Sequence, residues 1–155
     1  TISNKKAGIT MTPVKQISVF VENKHGKLSA IARHLADNGV SIRALCMADT
    51  TDFGIFRLIV SDYEAAEKAL KAAGVTCSVT EVLVVEIEDT PGAFADAMSL
   101  LADNSISLEY VYAFLTPEKG KAYIIIRVED NVAAAKVLSD GGIKIVSQDE
   151  IKANA

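Results

Sequence analysis

The chain has 155 residues, of which 50% are hydrophobic and 23% are charged, and its formal net charge at pH 7 is -4. This composition is typical of a globular protein, and the negative charge disfavours nucleic acid as a partner, because phosphate backbones attract basic surfaces. The sequence contains neither the roughly 18 consecutive apolar residues of a membrane span nor the apolar core of a signal peptide, so we expect no membrane partner and a cytoplasmic location.

The chain is predicted to consist of a short extension followed by two similar domains. Residues 1–13 are expected to be flexible, because their first ten residues are polar and show no periodicity. Beyond them, LADNGVSI at residues 35–42 recurs as LADNSISL at residues 101–108. The similarity extends over the rest of the chain, so we predict two equivalent domains, at residues 14–80 and 81–155.

The first half of each repeat predicts a strand and an amphipathic helix. VKQISVFVE and EVLVVEIED alternate apolar residues with a period of two, which is typical of a strand. A glycine-containing turn follows in both repeats. The helices are then predicted from apolar residues spaced by three and four positions. These are Leu28, Ile31, Ala32 and Leu35 in the first repeat and Phe94, Ala97, Met98 and Leu101 in the second.

The second half of each repeat predicts two strands, a helix and a last short strand. VSIRALCMA and IFRLIV, like ISLEYVYAFL and YIIIRV, form hairpins because the links between them are short. The second helices begin after Asp62 and Asp130 as N-caps and end near Gly74 and Gly142. Short strands around residues 75–79 and 143–146 complete the repeats.

The predicted fold class is therefore α+β, with two tandem ferredoxin-like βαββαβ units. Each unit has an antiparallel sheet with both helices on one face. The other sheet face is predicted to be apolar, which indicates that something covers it. The residues expected there are Phe20, Ile55, Ile59, Val84, Tyr123 and Ile125. We expect sheet packing between two chains, that is, a homodimer.

Catalytic chemistry has few candidates in this sequence. His25, His34, Cys46 and Cys77 form no recognisable catalytic spacing, although a Cys–His contact in the fold stays open. His34 is expected on a helix surface and Cys46 in the core. IFRLIV and YIIIRV on the central strands are mainly aliphatic and the net charge is negative, which disfavours an RNA-recognition surface, and the first loop lacks a cysteine pair for a metal. We therefore predict no enzyme, no cofactor and no metal site.

Both repeats share the loop between the first strand and the first helix. ENKHGKL and EDTPGAF place Asn23 or Asp89 three residues before Gly26 or Gly92. Such a glycine allows a ligand close to the backbone, helix N–H groups favour a carboxylate, and a polar side chain can hold an ammonium group. An ordinary turn with a cap explains the pattern equally well.

A serine at the start of the second strand is expected beside each of these loops, although a half-exposed strand serine is the simpler reading. The candidate ligand-binding residues are Asn23, His25, Gly26, Lys27, Leu28, Ser41 and Ile42 in the first repeat, and Asp89, Gly92, Ala93, Phe94, Ser107 and Leu108 in the second.

These segments resemble the ACT domain, a small-molecule sensing module of amino-acid metabolism. EDTPGAFADAMSLLADNSISL matches its pattern, and ENKHGKLSAIARHLADNGVSI departs from it in having His25 where proline is usual. The resemblance extends from Val14 to Ile151. It implies that ACT units pair side by side and bind a free amino acid at the seam between them.

The resemblance also implies roles for individual residues. In the serine-sensing ACT domain of phosphoglycerate dehydrogenases, one asparagine in the first loop and another at the start of the second strand hold the ligand. Asn23 matches the first asparagine and Ser41 stands in the place of the second, whereas Asp89 and Ser107 occupy these places in the second repeat. Asp89 accepts hydrogen bonds from an ammonium group but has none to donate to a carboxylate.

The implied function is regulatory. An amino-acid-binding protein of this kind modulates a separate amino-acid biosynthetic enzyme, as the regulatory subunits of acetolactate synthase do. The alternative is a structural interaction module without a bound small molecule.

Overall fold

The computed structural model describes residues 13–49, 52–115 and 118–153. Most of the predicted extension at residues 1–13 and the end of the second predicted domain therefore lie outside the described residues. The chain divides into two compact units, whose main segments are Lys15–Thr80 and Glu81–Ile151. We call them the first and the second unit.

The elements of the first unit follow the predicted order. They are β1 (Val14–Glu22), α1 (Lys27–Asp37), β2 (Ile42–Asp49), β3 (Phe53–Val60), α2 (Tyr63–Ala72) and the start of β4 (Cys77–Glu88). The rest of β4 begins the second unit, which continues with α3 (Ala93–Asp103), β5 (Leu108–Ala113), β6 (Lys121–Val128), α4 (Asn131–Asp140), β7 (Lys144–Val146) and α5 (Gln148–Ala153).

Each unit has an antiparallel sheet whose strand order confirms the ferredoxin-like fold. In the first unit the order is β2-β3-β1-β4, and β3 pairs antiparallel with both β1 and β2. In the second unit β4 lies between β7 and β6, and β5 pairs with β6. The first strand of each unit is therefore central, and the strand after the first helix, β2 or β5, lies at a sheet edge.

Each unit has its own core between one sheet face and two helices. In the first unit Ile31 and Leu35 of α1 and Leu70 of α2 pack with the alternate residues of β1 and β3. In the second unit Leu101 and Leu138 take the corresponding places. The period-two strands and the helical stripe predicted from the sequence thus meet at one interface.

The helix ends explain much of the repeated sequence. The carboxylate of Asp62 accepts a hydrogen bond from Ala65 N at 3.1 Å, and Asp130 does the same from Ala133 N at 3.0 Å, which confirms both predicted N-caps. In the recurring LADN motif, the side-chain amide of the asparagine donates to the last turn of its own helix. Both bonds, Asn38 Nδ2 to His34 O and Asn104 Nδ2 to Leu100 O, measure 2.8 Å.

Two features depart from the predicted elements. Residues 77–88 form one continuous strand rather than two, because CSVTEVLVVEIE contains no glycine or proline to interrupt it. Helix α5 was not predicted, although Ser147 supplies a recognisable cap: its hydroxyl accepts from Glu150 N at 3.2 Å.

The apolar sheet face opposite the helices is less accessible than expected. Ile59, Val84 and Ile125 are fully buried within the single chain, whereas Phe20 is 51% exposed. Three of the six residues that we expected a partner chain to cover are therefore already buried, whereas Ile55 and Tyr123 are half-buried. Homodimerisation through this face remains a prediction, because the observed burial does not require a partner chain.

Candidate functional site

The first loop, residues 23–26, connects β1 to α1 in a tight turn. Asn23 N donates to Asp52 O at 3.0 Å, and Lys24 N donates to Glu22 O at 2.8 Å. Gly26 has a φ of 80° and precedes the helix directly. This left-handed conformation costs an L-residue about 1–2 kcal/mol, which gives a physical reason for glycine at the position.

The second loop, residues 89–92, repeats the same backbone. Asp89 N donates to Gly120 O at 3.0 Å, and Gly92 has a φ of 90°. The hairpin carbonyls of Asp52 and Gly120, which the sequence analysis did not single out, therefore hold equivalent points of the two loops. Their common signal is a turn residue just before the third strand of each unit.

The helices that follow these loops begin without side-chain caps. Within the described part of the chain, the backbone N–H groups of Leu28 and Ser29 in α1 and of Phe94 and Ala95 in α3 have no hydrogen-bond acceptor. A Cβ atom at Gly26 or Gly92 would meet nothing within 4 Å, so the space beside both glycines is open. Each loop thus presents unpaired donors and the positive end of a helix dipole to accessible space.

A shallow cavity lies on the first loop. Its volume is about 380 Å³, and it is lined by Asn23, Lys24 and His25. The Lys24 ammonium lies 3.0 Å from the Glu22 carboxylate. The hydrogen bond from Lys24, followed by the charges of Lys24 and Lys27, lowers the pKa of Glu22. The loop therefore combines a neutral amide with basic groups that favour an anion. Lys24 was absent from the predicted site, although its place beside Asn23 was visible in the sequence.

The second loop is electrostatically different. It carries the exposed carboxylate of Asp89, and Asp96 lies in the first turn of α3. Lys121 pairs with Glu88 at the end of β4. The second loop therefore favours a cation more than the first loop does.

Leu28 and Phe94 do not join the cores, contrary to the helical pattern. They are 40% and 45% exposed. Both lie in the first helical turn after the loop, whereas the buried residues of α1 and α3 lie in later turns. They are therefore apolar groups beside the uncapped helix ends, next to Lys27 and Ala93.

The prediction that Ser41 lies beside the first loop is wrong within one unit. Because β1 and β2 are both antiparallel to β3, they run parallel to each other. Ile42 pairs with Val60 at one end of β3, whereas Glu22 and Phe53 pair at the other end. At about 3.3 Å per residue these ends are roughly 20 Å apart. Helix α1 carries the chain back along the sheet before β2 begins, which is why the serine and the loop are separated.

The second unit repeats this arrangement. Leu108 pairs with Val128 at one end of β6, and Glu88 pairs with Lys121 at the other. Ser107 therefore lies far from Asp89, and both side chains are exposed. Ser41 is fixed at the end of the sheet opposite the first loop, because its N–H group donates a hydrogen bond to Ser61 Oγ at 3.1 Å. Neither serine contributes to the loop of its own unit.

The histidine and cysteine candidates do not form a catalytic group. His34 Nε2 lies 2.8 Å from Ala69 O, so the ring bridges α1 and α2 instead of pointing to solvent as expected. Cys46 is a half-buried residue of the edge strand β2 and not a core residue. Burial, followed by the charge of Glu67, raises the pKa of the Cys77 thiol, which opposes thiolate formation.

The described residues contain neither a cluster of potential metal ligands nor a long apolar helix. No group of three or more histidine, cysteine, aspartate or glutamate side chains there is placed to hold a metal ion. No described helix has both the length and the apolar character required to cross a membrane.

Comparisons with known proteins agree with this architecture. The family model described as an ACT domain pair matches residues 11–154. The structure of a Bacteroides thetaiotaomicron protein superposes with a TM-score of 0.85 at 31% identity, covering 91% of this chain and 96% of that chain. No curated protein sequence matches the chain.

More distant structures share the fold. The ligand-free regulatory subunit of aspartate kinase from Thermus thermophilus has a TM-score of 0.59 at 16% identity, covering 81% of this chain and 90% of that chain. The corresponding Thermus flavus subunit has a TM-score of 0.57 at 16% identity, with 85% and 94% covered.

Proposed function

Because the chain belongs to the ACT domain pair family, we propose that it is a regulatory protein that binds a free amino acid and thereby modulates a separate enzyme of amino-acid metabolism. The observation that carries this proposal is the pair of equivalent loops, each with a left-handed glycine before an uncapped helix. Helices α2 and α4 of the same chain are capped by aspartates. Among these four described helices, the two without a side-chain cap are therefore those that follow the loops implicated by the family resemblance.

An α-amino acid matches the chemistry of the first loop. Its carboxylate accepts hydrogen bonds from the free N–H groups of Leu28 and Ser29, which carry the positive end of the α1 dipole. Its ammonium group donates to the Asn23 side-chain oxygen. The exposed apolar side chain of Leu28 then lies beside the position of the ligand side chain.

A second copy of the chain completes this site in our proposal. Ser41 lies at the opposite end of β2 from the first loop, so it reaches a loop only across an interface. Two β2 edge strands that pair antiparallel about a two-fold axis bring the start of each β2 beside the end of the other. The partner's Ser41 then faces Asn23. Leu45 and Met47, which are 41% and 38% exposed on β2, supply apolar contact for such a homodimer.

The two loops are proposed to bind with different strength. The first loop has Lys24 and His25 near Asn23, whereas the second has Asp89 and Pro91 in the matching places. A carboxylate is attracted by the first set and repelled by Asp89. We therefore assign the principal amino-acid site to the first loop and a weaker or different site to the second.

Regulation follows if the ligand changes how two units meet. A ligand that contacts both sides of a seam binds one arrangement better than another, and coupling of this kind is typically about 1–3 kcal/mol. Two of the structures that share this fold are regulatory subunits of aspartate kinase. This supports an enzyme as the partner and leaves its identity to experiment.

The proposal is tested by calorimetric titration of the purified chain with each of the twenty amino acids, after a thermal-shift screen at millimolar concentration. One chemical group of amino acids is expected to raise the melting temperature. Asn23→Ala should then weaken binding without unfolding the chain, and Gly26→Val should weaken it further. Ser78→Ala, at an exposed strand position away from both loops, is the matched control.

The outcomes separate the proposal from its alternative. If no amino acid binds while the chain still dimerises, the protein is a structural interaction module. Unchanged affinity in Asn23→Ala places the ligand away from the first loop. If a Leu45→Glu variant loses both dimerisation and amino-acid binding, the result supports an amino-acid site at the seam between two chains.

A further inference from the structure

The first unit contains a groove that shares only Lys27 with the candidate amino-acid site. It has a volume of about 440 Å³ and runs between α1, the C-terminal end of α2 and the end of β1. The floor of the groove consists of Val21, Ile31 and Leu70. Its walls include Glu22, Lys27 and His34. A volume of this size falls within the usual range for small-molecule sites, roughly 300–1,000 Å³.

The floor of the groove is part of the hydrophobic core. Val21, Ile31 and Leu70 are each less than a tenth exposed and belong to the core cluster of the first unit. The His34 ring is held in place because its Nε2–H group donates to Ala69 O at 2.8 Å. The groove therefore has a tightly packed floor and a fixed polar wall.

One end of the groove carries a positive charge without a close counterion. Among the described residues, no carboxylate lies within 4.0 Å of the Lys27 ammonium group. Among the described residues that line the groove, the one carboxylate is Glu22, which lies 3.0 Å from Lys24 and interacts with Lys27 only over a longer distance. Lys27 also begins α1, so the dipole of this helix adds to the positive potential.

The second unit shows that the fold does not require this groove. At the position of His34 it has Leu100, and a Cβ atom on Gly141, which corresponds to Ala73, would lie only 2.5 Å from Leu100 Cδ1. Leu100 thus occupies the space that the groove needs. Ala93 replaces Lys27, so the second unit lacks the cation as well.

We propose that the first-unit groove binds a small organic monocarboxylate with an apolar tail, with its carboxylate at Lys27 and its tail along Ala30 and Ile31. The eight residues of α1 from Lys27 to His34 span about 10 Å, which limits the ligand to roughly the length of a phenylpropanoate. This site extends beyond the amino-acid sensing proposed above, because nothing in the groove demands an α-amino group.

Three matched probes test the charge preference. 3-Phenylpropanoate, 3-phenylpropanamide and 3-phenylpropylamine are titrated into the full chain, and backbone amide NMR shifts are followed. We expect the carboxylate to bind in the millimolar range and to shift Ile31, Leu70 and Gly74. The amide should bind roughly two- to fivefold more weakly, as expected for a partly exposed charge pair, and the amine more weakly still. Equal affinities, no binding, or shifts confined to other residues would overturn the proposal.

Variants locate the site independently of its charge. Ala30→Leu places a larger side chain in the groove and should abolish probe binding, whereas Ala36→Leu, exposed on the same helix outside the groove, should leave it unchanged. Lys27→Gln should remove the preference for the carboxylate over the amide. Retained binding in Ala30→Leu, with the native NMR spectrum preserved, contradicts the groove.

The groove proposal and the amino-acid proposal can be disproved independently of each other. Asn23→Ala is expected to weaken amino-acid binding and to leave 3-phenylpropanoate binding unchanged. If Asn23→Ala abolishes both, the probe occupies the first loop and the groove proposal is wrong. If amino acids never bind but the probe does, the proposed function is wrong and the groove proposal stands.

Discussion

The Nε2 atom of His34 lies 2.8 Å from the carbonyl oxygen of Ala69, so a histidine of α1 is bonded to the backbone of α2. A carbonyl only accepts, so Nε2 carries the proton. The second unit makes the equivalent helix contact with an apolar side chain, Leu100, against Gly141. The two repeats therefore hold the same pair of helices together by different chemistry.

We predict that His34→Leu lowers the free energy of unfolding by about 0.5–1.5 kcal/mol, the usual contribution of one hydrogen bond. The loss should not be larger, because Ala69 O also accepts from Ala73 N at 3.1 Å and so is not left without a donor. Urea denaturation measures the effect. Arg33→Leu, exposed on the same helix, is the control and should change stability by less than about 0.5 kcal/mol. Equal effects of the two variants would show that the bond contributes nothing.

The residue after each LADN motif gives a second prediction. Gly39 and Ser105 occupy equivalent positions with φ values of 73° and 58°, and Ser105 is the one described residue other than glycine with positive φ. Since this conformation costs an L-residue about 1–2 kcal/mol, Ser105→Gly should stabilise the chain and Gly39→Ser should destabilise it by a similar amount. Thermal unfolding of both variants checks the signs. Ser99→Gly, within α3, should instead be destabilising.

We predict that the environment of Tyr123 makes the chain less stable at alkaline pH. Burial, and then hydrogen bonding to Glu86 at 3.0 Å, raises the pKa of Tyr123 to about 12. The folded chain holds this proton more tightly than the unfolded chain does, where the reference pKa is about 10. The resulting stability is complete below pH ~10 and is lost as the pH rises towards ~12. Tyr123→Phe should remove this part of the pH dependence.

Absorbance of tyrosinate during a pH titration, combined with urea denaturation at each pH, measures both quantities for Tyr123. Tyr63→Phe is the matched control and should leave the late-titrating group in place. A titration curve that is identical in Tyr123→Phe and in the unmodified chain would contradict the assignment.

Exchanging the polar residues of the two loops tests the proposed difference between them. Asn23→Asp places a second carboxylate beside Glu22 and should weaken amino-acid binding several-fold, because the ligand carboxylate is then repelled. Asp89→Asn should strengthen binding at the second loop. Calorimetric titration gives the affinity and the number of sites. If Asn23→Asp binds as tightly as the unmodified chain, charge in the first loop does not select the ligand.

Local patterns predicted the elements well and some side-chain positions poorly. The caps at Asp62 and Asp130 were correct because a cap depends only on residues three positions apart. Leu28 satisfied the same helical spacing as Ile31 and yet lies outside the core. Its burial depends on how far the sheet reaches beneath the helix, which spacing along the chain does not contain.

The duplicated α+β order, most helix ends and the two glycine loops could be predicted before folding was considered, because these depend on periodicity and on contacts between near neighbours. Tertiary structure alone decided which sequence-predicted residues meet. The crossover through α1 puts Ser41 at one end of β2 and the first loop at the other. The packing of α1 on α2 leaves a groove at His34, whereas Leu100 fills the equivalent space in the second unit. Both outcomes depend on distances between residues far apart in the chain, and such distances exist only once the sheet and helices are assembled.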